Sequence, residues 1–445
     1  MAEWNVPGVV ADWIGRLAGV LDARLRHRLL PLLIGALFAG GRRTVSRWLV
    51  AAGVSADFKR YYYFLGTLGR KAEAISTQLL WLAMHVIPAS HLGHHITLAL
   101  DDTPTKRYGP FVEGAGVHHN PTPGPAGSKH LYGHVWVTLA WVVRHPAWGA
   151  IALPLRSLLY VRQATLQKLP PWSRPKFATK LEQAITLVKW AVVWMKRLDW
   201  PMLVVVDGAY AKRVFLDALR AWGVTVVSRL RKDAALYDLP PAPSGRRGRP
   251  RKYGRNRLNL AKRAAHRGGW QYDEFELYGR RVRKRYKTFL ATYPPAGGLI
   301  RVVIVREPDG SWIAWFSTDA DLSVEAILEA VADRAAIEQD FHDVKEVHGA
   351  GEQQVRNLFA NIGAWHITMW LHTLIELWAW AKPHEKLVNR AARPWDKVER
   401  RPSHADRRDA LRREFLREAI SACRVTDGAH RKIPALLKQL VQLIA

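Results

Sequence analysis

Hydrophobic and polar positions change their period several times along the chain, and the changes divide it. Up to about residue 90 the apolar residues recur at helical spacing. Residues 17–37 carry one apolar face with arginines opposite, Gly40-Gly41 breaks it, and Thr44-Val45-Ser46-Arg47-Trp48-Leu49 predicts a short amphipathic helix. Gly53 ends that helix and Lys59-Arg60-Tyr61-Tyr62-Tyr63 opens the next. Short helices joined at a glycine suit a helix-turn-helix or an ordinary bundle, and the pattern does not choose between them. At Ile96 the signal becomes extended. Ile96-Thr97-Leu98-Ala99-Leu100 predicts a strand running into Asp101-Asp102-Thr103, and a Gly/Pro/His-rich loop follows at 110–128. Strands are expected at 134–143, 150–155, 202–206 and 224–228, with helices at 175–196 and 211–222. That succession predicts an α/β domain with a mixed sheet. Residues 238–320 interrupt it with a Pro-rich loop, a basic block and short β-type runs at 270–278, 288–293, 299–305 and 312–317. Helix returns at 324–347 and, Trp-rich, at 357–380, before a charged and mostly helical tail from 382 to 417.

Composition changes this picture mainly through charge. Lys and Arg number 67 against 38 Asp and Glu, a formal net charge of +29 over 445 residues, which favours a polyanionic partner, nucleic acid first and anionic membrane second. The membrane alternative is weak, because no apolar run of ~18 residues lacks charges and the stretch 29–40 is too short to span. Glu3 and Asp12 fall where a basic leader would stand, so no signal peptide is expected and the chain reads as cytoplasmic. The single cysteine, Cys423, excludes an internal disulfide framework and a Cys-based zinc site.

Three carboxylates then stand out. Asp101 and Asp207 each follow an apolar strand, where a carboxylate needs a cation or a function. Ligands gather at the carboxyl ends of strands in α/β sheets, so two such aspartates on neighbouring strands would form one acidic site. Each alone reads equally well as a turn or a helix cap. On the predicted helix 331–347, Glu338 and Lys345 lie about 40° and 20° from Arg334 around the axis. All three therefore share a face beside the apolar stripe Ile337, Phe341 and Val344, while Asp340 and Asp343 are expected to point to solvent. The plain alternative is an exposed i, i+4 ion pair. Three acids suit two divalent metal ions that activate a water or 3′-hydroxyl for in-line attack on a phosphodiester, with Arg334 and Lys345 on the flanking phosphates.

These residues resemble a known family. Arg334-(3)-Glu338-(6)-Lys345 resembles the Y-(2)-R-(3)-E-(6)-K motif of bacterial insertion-sequence transposases of the DDE class, with Val331 in the tyrosine position. Leu98-Ala99-Leu100-Asp101-Asp102-Thr103 is similar to the first catalytic strand of that family, and Val204-Val205-Val206-Asp207-Gly208-Ala209-Tyr210 to the second. The resemblance spans residues 90–360, and its motifs gain specificity from their order. It implies a ribonuclease-H-like mixed sheet with a β-rich insertion, preceded by a helical domain. It implies catalysis by Asp101, Asp207 and Glu338 as ligands of Mg²⁺ (or Mn²⁺), and DNA as partner: terminal inverted repeats and target DNA, bound by a homodimer. Of Asp101 and Asp102, the family's Asp-x-Thr pattern fits Asp101, leaving Asp102 on the other side of the sheet edge.

The organisation expected is a helical DNA-binding domain at 1–90, a catalytic domain split into 91–237 and 321–380 around the insertion 238–320, and a basic helical region at 381–445. In the insertion, Arg246-Arg247-Gly248-Arg249-Pro250-Arg251-Lys252 resembles an AT-hook, whose arginines enter a narrow minor groove; a solvated basic linker is the alternative. Arg247, Arg249, Arg251 and Lys252 are the DNA contacts expected there. His118, His119, His130 and His134 cluster without zinc-ligand spacing, and Trp270, Trp312 and Trp315 suit core packing or base stacking. The reading is a DNA-cutting and DNA-joining transposase, in the cytoplasm with the nucleoid; a non-catalytic descendant and a metal-dependent nuclease are its rivals.

Overall fold

The computed structural model describes residues 4, 6–119, 127–241, 251–389, 395–397 and 399–424. Five helices lead: α1 Gly8–Ala18, α2 Leu29–Phe38, α3 Val45–Ala51, α4 Phe58–Arg70 and α5 Ala72–Val86. The single helical run expected through 17–37 is two helices. After Gly19 the Asp22 carboxylate accepts the Arg24 N–H at 2.9 Å, a local bond that competes with helix and turns the chain between α1 and α2.

A twelve-stranded mixed sheet follows. Its first part is β1 Ile96–Lys106, β2 Gly116–His119, β3 His130–His145 and β4 Gly149–Tyr160, then short helix α6 Gln163–Leu166, α7 Lys180–Met195, β5 Met202–Val206, α8 Arg213–Ala221 and β6 Thr225–Leu230. The second part is β7 Leu236–Tyr237, β8 Arg257–Leu258, α9 Leu260–Ala265, β9 Gln271–Leu277, β10 Arg280–Tyr293, β11 Gly298–Arg306 and β12 Trp312–Ser317. The strands lie in the order β2-β3-β1-β5-β6-β12-β11-β10-β7-β8, with β4 on β3 and β9 on β10. Among the described strands only β1–β5 and β5–β6 pair parallel; α8 joins β5 to β6, whereas β1 reaches β5 by way of β2, β3, β4 and α7. The α/β mixed sheet preceded by helices, with β-rich chain between β6 and the next long helix, is the class expected. The β-rich strands extend the same sheet through the antiparallel β6–β12 pair.

Four helices close the described chain: α10 Val324–Glu346, α11 Leu358–Ala379, α12 His384–Leu387 and α13 His404–Arg424. Alternation along β1 sorts its residues by face. Leu98 and Leu100 enter the large core shared with α5, α7 and α11, whereas Ala99 packs with Ile337 and Phe341 of α10. Arg144 of β3 pins α10 to the sheet through Asp333 at 2.7 Å and Glu329 at 3.1 Å.

The leading helices are built into this body. A methyl group on Gly69 of α4 would lie 1.9 Å from the Phe359 carbonyl, and one on Gly363 of α11 would lie 2.1 Å from the Leu65 carbonyl. The two glycines let α4 and α11 touch backbone to backbone. Tyr61, Phe64, Leu65 and Leu68 of α4 are buried, while Tyr63 is exposed. No helix among the described residues is long and apolar enough to cross a membrane.

Candidate active site

The parallel register aligns Leu100 with Val206, so the next residues, Asp101 and Asp207, stand side by side where β5 ends; β1 itself, expected to end at Leu100, runs on to Lys106 against β3. Asp101 shares the Ala99 face and points under α10. Asp102 points the other way, where its carboxylate accepts the Tyr210 hydroxyl at 2.8 Å and pairs with Lys180 of α7 at 2.6 Å. Asp101 is mostly buried, and its pKa is pushed up to about 6. Burial is the main cause; the Arg334 guanidinium opposes it, and the neighbouring Asp102 and Asp207 charges add to it. Asp207 is exposed, and its carboxylate accepts the Gly208 N–H at 2.7 Å. It borders an open depression lined by Arg229, Arg231 and Lys232.

α10 brings the third group. Arg334 donates to the Asp101 carboxylate and, at 3.1 Å, to that of Glu338. Lys345, two turns on, donates to the Thr103 hydroxyl at 3.0 Å, and burial lowers its pKa. Arg334, Glu338 and Lys345 thus lie over the end of β1, on the face that carries Asp101 and Thr103. Glu338 reaches Asp101 through the guanidinium rather than directly, and its side chain is 63% exposed. Among the described residues, the trio of potential ligands whose atoms all lie within 4.8 Å of one another is a different one: His372, Glu376 and His404.

The expectation that Asp340 and Asp343 point to solvent is overturned. Both are buried. α10 is covered on two sides, by the sheet and by α11, so its polar back becomes a second interior face. There Asp340 stands 3.6 Å from His372 of α11, and Asp343 accepts from Gln339 at 3.0 Å. Burial raises the Asp340 pKa well above the usual carboxylate range.

Other singled-out residues fall elsewhere. Arg247 and Arg249 lie outside the described residues; Arg251 and Lys252 are exposed on the chain entering β8. His134 is buried, accepting from Arg107 at 3.0 Å and bonded to the Glu113 carbonyl at 3.0 Å, which makes it a core histidine. His118, near Tyr160, has its pKa lowered to about 4, chiefly by burial. Trp315 packs against the α10 core cluster, and Trp312 is approached by Lys232 at 5.1 Å. Trp270 is half-buried with cations over its ring: Lys287 at 4.7 Å, Arg285 at 4.9 Å and Arg306 at 5.8 Å. Sequence reasoning missed Lys180 and Tyr210. Tyr210 lay within the quoted 204–210 motif; Lys180 carried no local signal, since only the fold brings α7 beneath β1.

Residues 16–275 match the family described as DDE superfamily endonuclease, and residues 180–374 match the transposase DDE domain. No curated protein matches the sequence. Among solved structures, the chain is similar to the piggyBac transposase in its synaptic complex with hairpin DNA, at 11% identity and a TM-score of 0.37, covering 93% of this chain and 85% of that one.

Proposed function

From the premise that the chain belongs to the DDE superfamily endonucleases, we propose that it is a transposase of a bacterial insertion sequence that cuts DNA at terminal inverted repeats and joins the freed ends to target DNA. Asp101, Asp207 and Glu338 are its catalytic acids, and Arg334-(3)-Glu338-(6)-Lys345 is its form of the family motif, with Val331 replacing the tyrosine. The observation that carries the reading is the adjacency of Asp101 and Asp207 on parallel strands, with Asp101 and Thr103 bonded to the one helix that bears Arg334, Glu338 and Lys345.

Enzymes of this superfamily depend on a divalent metal, and the site fits one. Asp101 and Asp207 bring two carboxylates side by side, and Asp101, whose pKa burial pushes up to about 6 against the Arg334 guanidinium, gains from a further cation. All-oxygen donors suit a hard ion such as Mg²⁺ or Mn²⁺. Such an ion supplies charge stabilisation at the attacking and leaving oxygens of an in-line displacement. The chain's own groups do the rest. Arg334, held by two carboxylates, is a guanidinium ready to exchange them for a phosphate; Lys345 supplies a second cation, fixed by Thr103 at one end of the site. In cleavage a water oxygen bonds to phosphorus, the bond to the 3′ oxygen breaks and a 3′-hydroxyl is released. In joining, that hydroxyl attacks a target phosphate, so one phosphodiester replaces another.

The basic loop with Arg247, Arg249, Arg251 and Lys252 and the cationic strand face around Trp270 extend the DNA-binding surface, and the leading helices 1–90 serve end recognition. The assembly acts as a homodimer on two element ends, among the nucleoid DNA. The test uses a labelled element-end duplex and a pre-cut duplex bearing a 3′-hydroxyl, with Mg²⁺ or Mn²⁺. Wild type nicks the first and joins the second to a target, whereas Asp207→Asn does neither while still binding both. Cleavage that survives in Asp207→Asn removes the proposed site; nicking without joining leaves a plain nuclease.

A further inference from the structure

We propose that the core junction of α10, α11 and α13 is a structural metal site of zinc type, held by His372, Glu376 and His404 with Asp340 completing the shell. α11 sets His372 and Glu376 four residues apart, on one helix face. α13 begins with His404, and α10 contributes Asp340. The ligand atoms of His372, Glu376 and His404 lie within 4.8 Å of one another, and all three residues are buried. His404 Nδ1 is 2.5 Å from the Glu376 carboxylate, and His372 Nε2 is 3.6 Å from that of Asp340.

Hydrogen bonds satisfy His404, through Glu376 and through His348 Nε2 at 2.7 Å, but not the rest of the cluster. Asp340 Oδ2, His372 Nδ1, Glu376 Oε2 and the neighbouring His348 Nδ1 are buried without a partner. Each such atom bears its full desolvation cost, and four in one core are unusual. The two acids are also unevenly paired. Two buried carboxylates, Asp340 and Glu376, share one buried guanidinium, Arg407, which sits on Glu376 at 2.9 Å. A divalent cation would take the free Asp340, His372 and Glu376 atoms as ligands, with His404 exchanging its bond to Glu376 or to His348 for the metal. Two imidazoles with two carboxylates match zinc, whereas Mg²⁺ prefers oxygen alone. The His372 and His404 rings stack at 3.9 Å, so binding turns one of them edge-on. With no solvent-facing position, the site is structural. Asp340 stands two residues from Glu338, so the metal would clamp the helix that carries the proposed acid.

The test starts from full-length wild type and needs no assumption about catalysis. Elemental analysis of the purified protein is expected to give about one zinc per chain. Asp207→Asn retains it; His372→Ala and His404→Gln lose it. Stripping with a chelator lowers the melting temperature of wild type, and refilling with Co²⁺ alone gives the visible absorption of a four-coordinate ion. Wild type that is purified free of transition metal, gives no Co²⁺ band and melts alike with and without chelator overturns the proposal. So does zinc that persists in a folded His404→Gln variant. Where the variants do not fold, the wild-type measurements decide.

Discussion

Asp101→Asn should kill catalysis and yet make the protein more stable at neutral pH. In the folded chain Asp101 titrates at about 6, against 3.8 for the free group. Below the lower value it is protonated in both states. Between the two, the folded state keeps a proton that the unfolded state has released. The stability this group supplies is therefore complete below about pH 3.8 and is lost as pH rises through about 6. Above that, ionising Asp101 costs the folded state about 3 kcal/mol, a net figure that already includes the Arg334 attraction. Asparagine removes the charge, and its oxygen can still accept the Asp102 N–H, which stands at 2.8 Å. Against this, an amide is a poorer hydrogen-bond partner for the Arg334 guanidinium than a carboxyl group, a cost of about 1 kcal/mol. The net gain is about 1–2 kcal/mol, or an apparent melting-point rise of a few degrees. The assay is paired thermal unfolding of wild type and Asp101→Asn, without divalent ions, from about pH 5 to pH 8, beside strand cleavage. The difference between the two curves should open as pH rises. A variant that cleaves DNA, or one whose disadvantage grows with pH, refutes the reasoning.

Three further outcomes follow from named contacts. Lys345→Ala should weaken DNA binding uniformly across sequences and lower the slope of log affinity against log salt by about one, read by fluorescence anisotropy. Gly363→Ala drives a methyl group to 2.1 Å from the Leu65 carbonyl and should cost roughly 2–4 kcal/mol in chemical denaturation, whereas Gly15→Ala, with nothing within 4 Å, should be neutral or slightly stabilising. On the strand face, Arg285→Ala should weaken DNA binding and flatten its salt dependence, while Trp270→Ala should weaken it with the slope unchanged, separating phosphate contact from base stacking.

How much of this was legible in sequence depended on whether the deciding contact was local. Strands β1 and β5 announce themselves because both are buried on two faces, which forces continuous apolar runs, and each run ends at its aspartate. The shared face of Arg334, Glu338 and Lys345 follows from helical geometry alone. The fate of Asp340 and Asp343 did not, since it is set by α11 lying on the far side of α10. A helix between two layers loses the polar stripe that marks solvent, and its buried acids read as surface. The same holds for the opening helices: residues 17–37 keep one apolar period across a turn that Asp22 enforces, and nothing near Gly69 in sequence points to Phe359. Lys180 joined Asp102 only once the crossover of α7 had formed.

The contact between α4 and α11 has one more consequence. Backbone laid on backbone leaves no side-chain cushion between α4 and α11, which holds the opening helices close against the body that carries the acidic pair. If those helices bind DNA as proposed, a duplex on their outward side chains would meet the proposed acids at a set offset, as stock clamped in a jig meets a saw. The distance from a recognised sequence to the scissile phosphate would then be a constant of the fold, fixed by two residues that have no side chain at all.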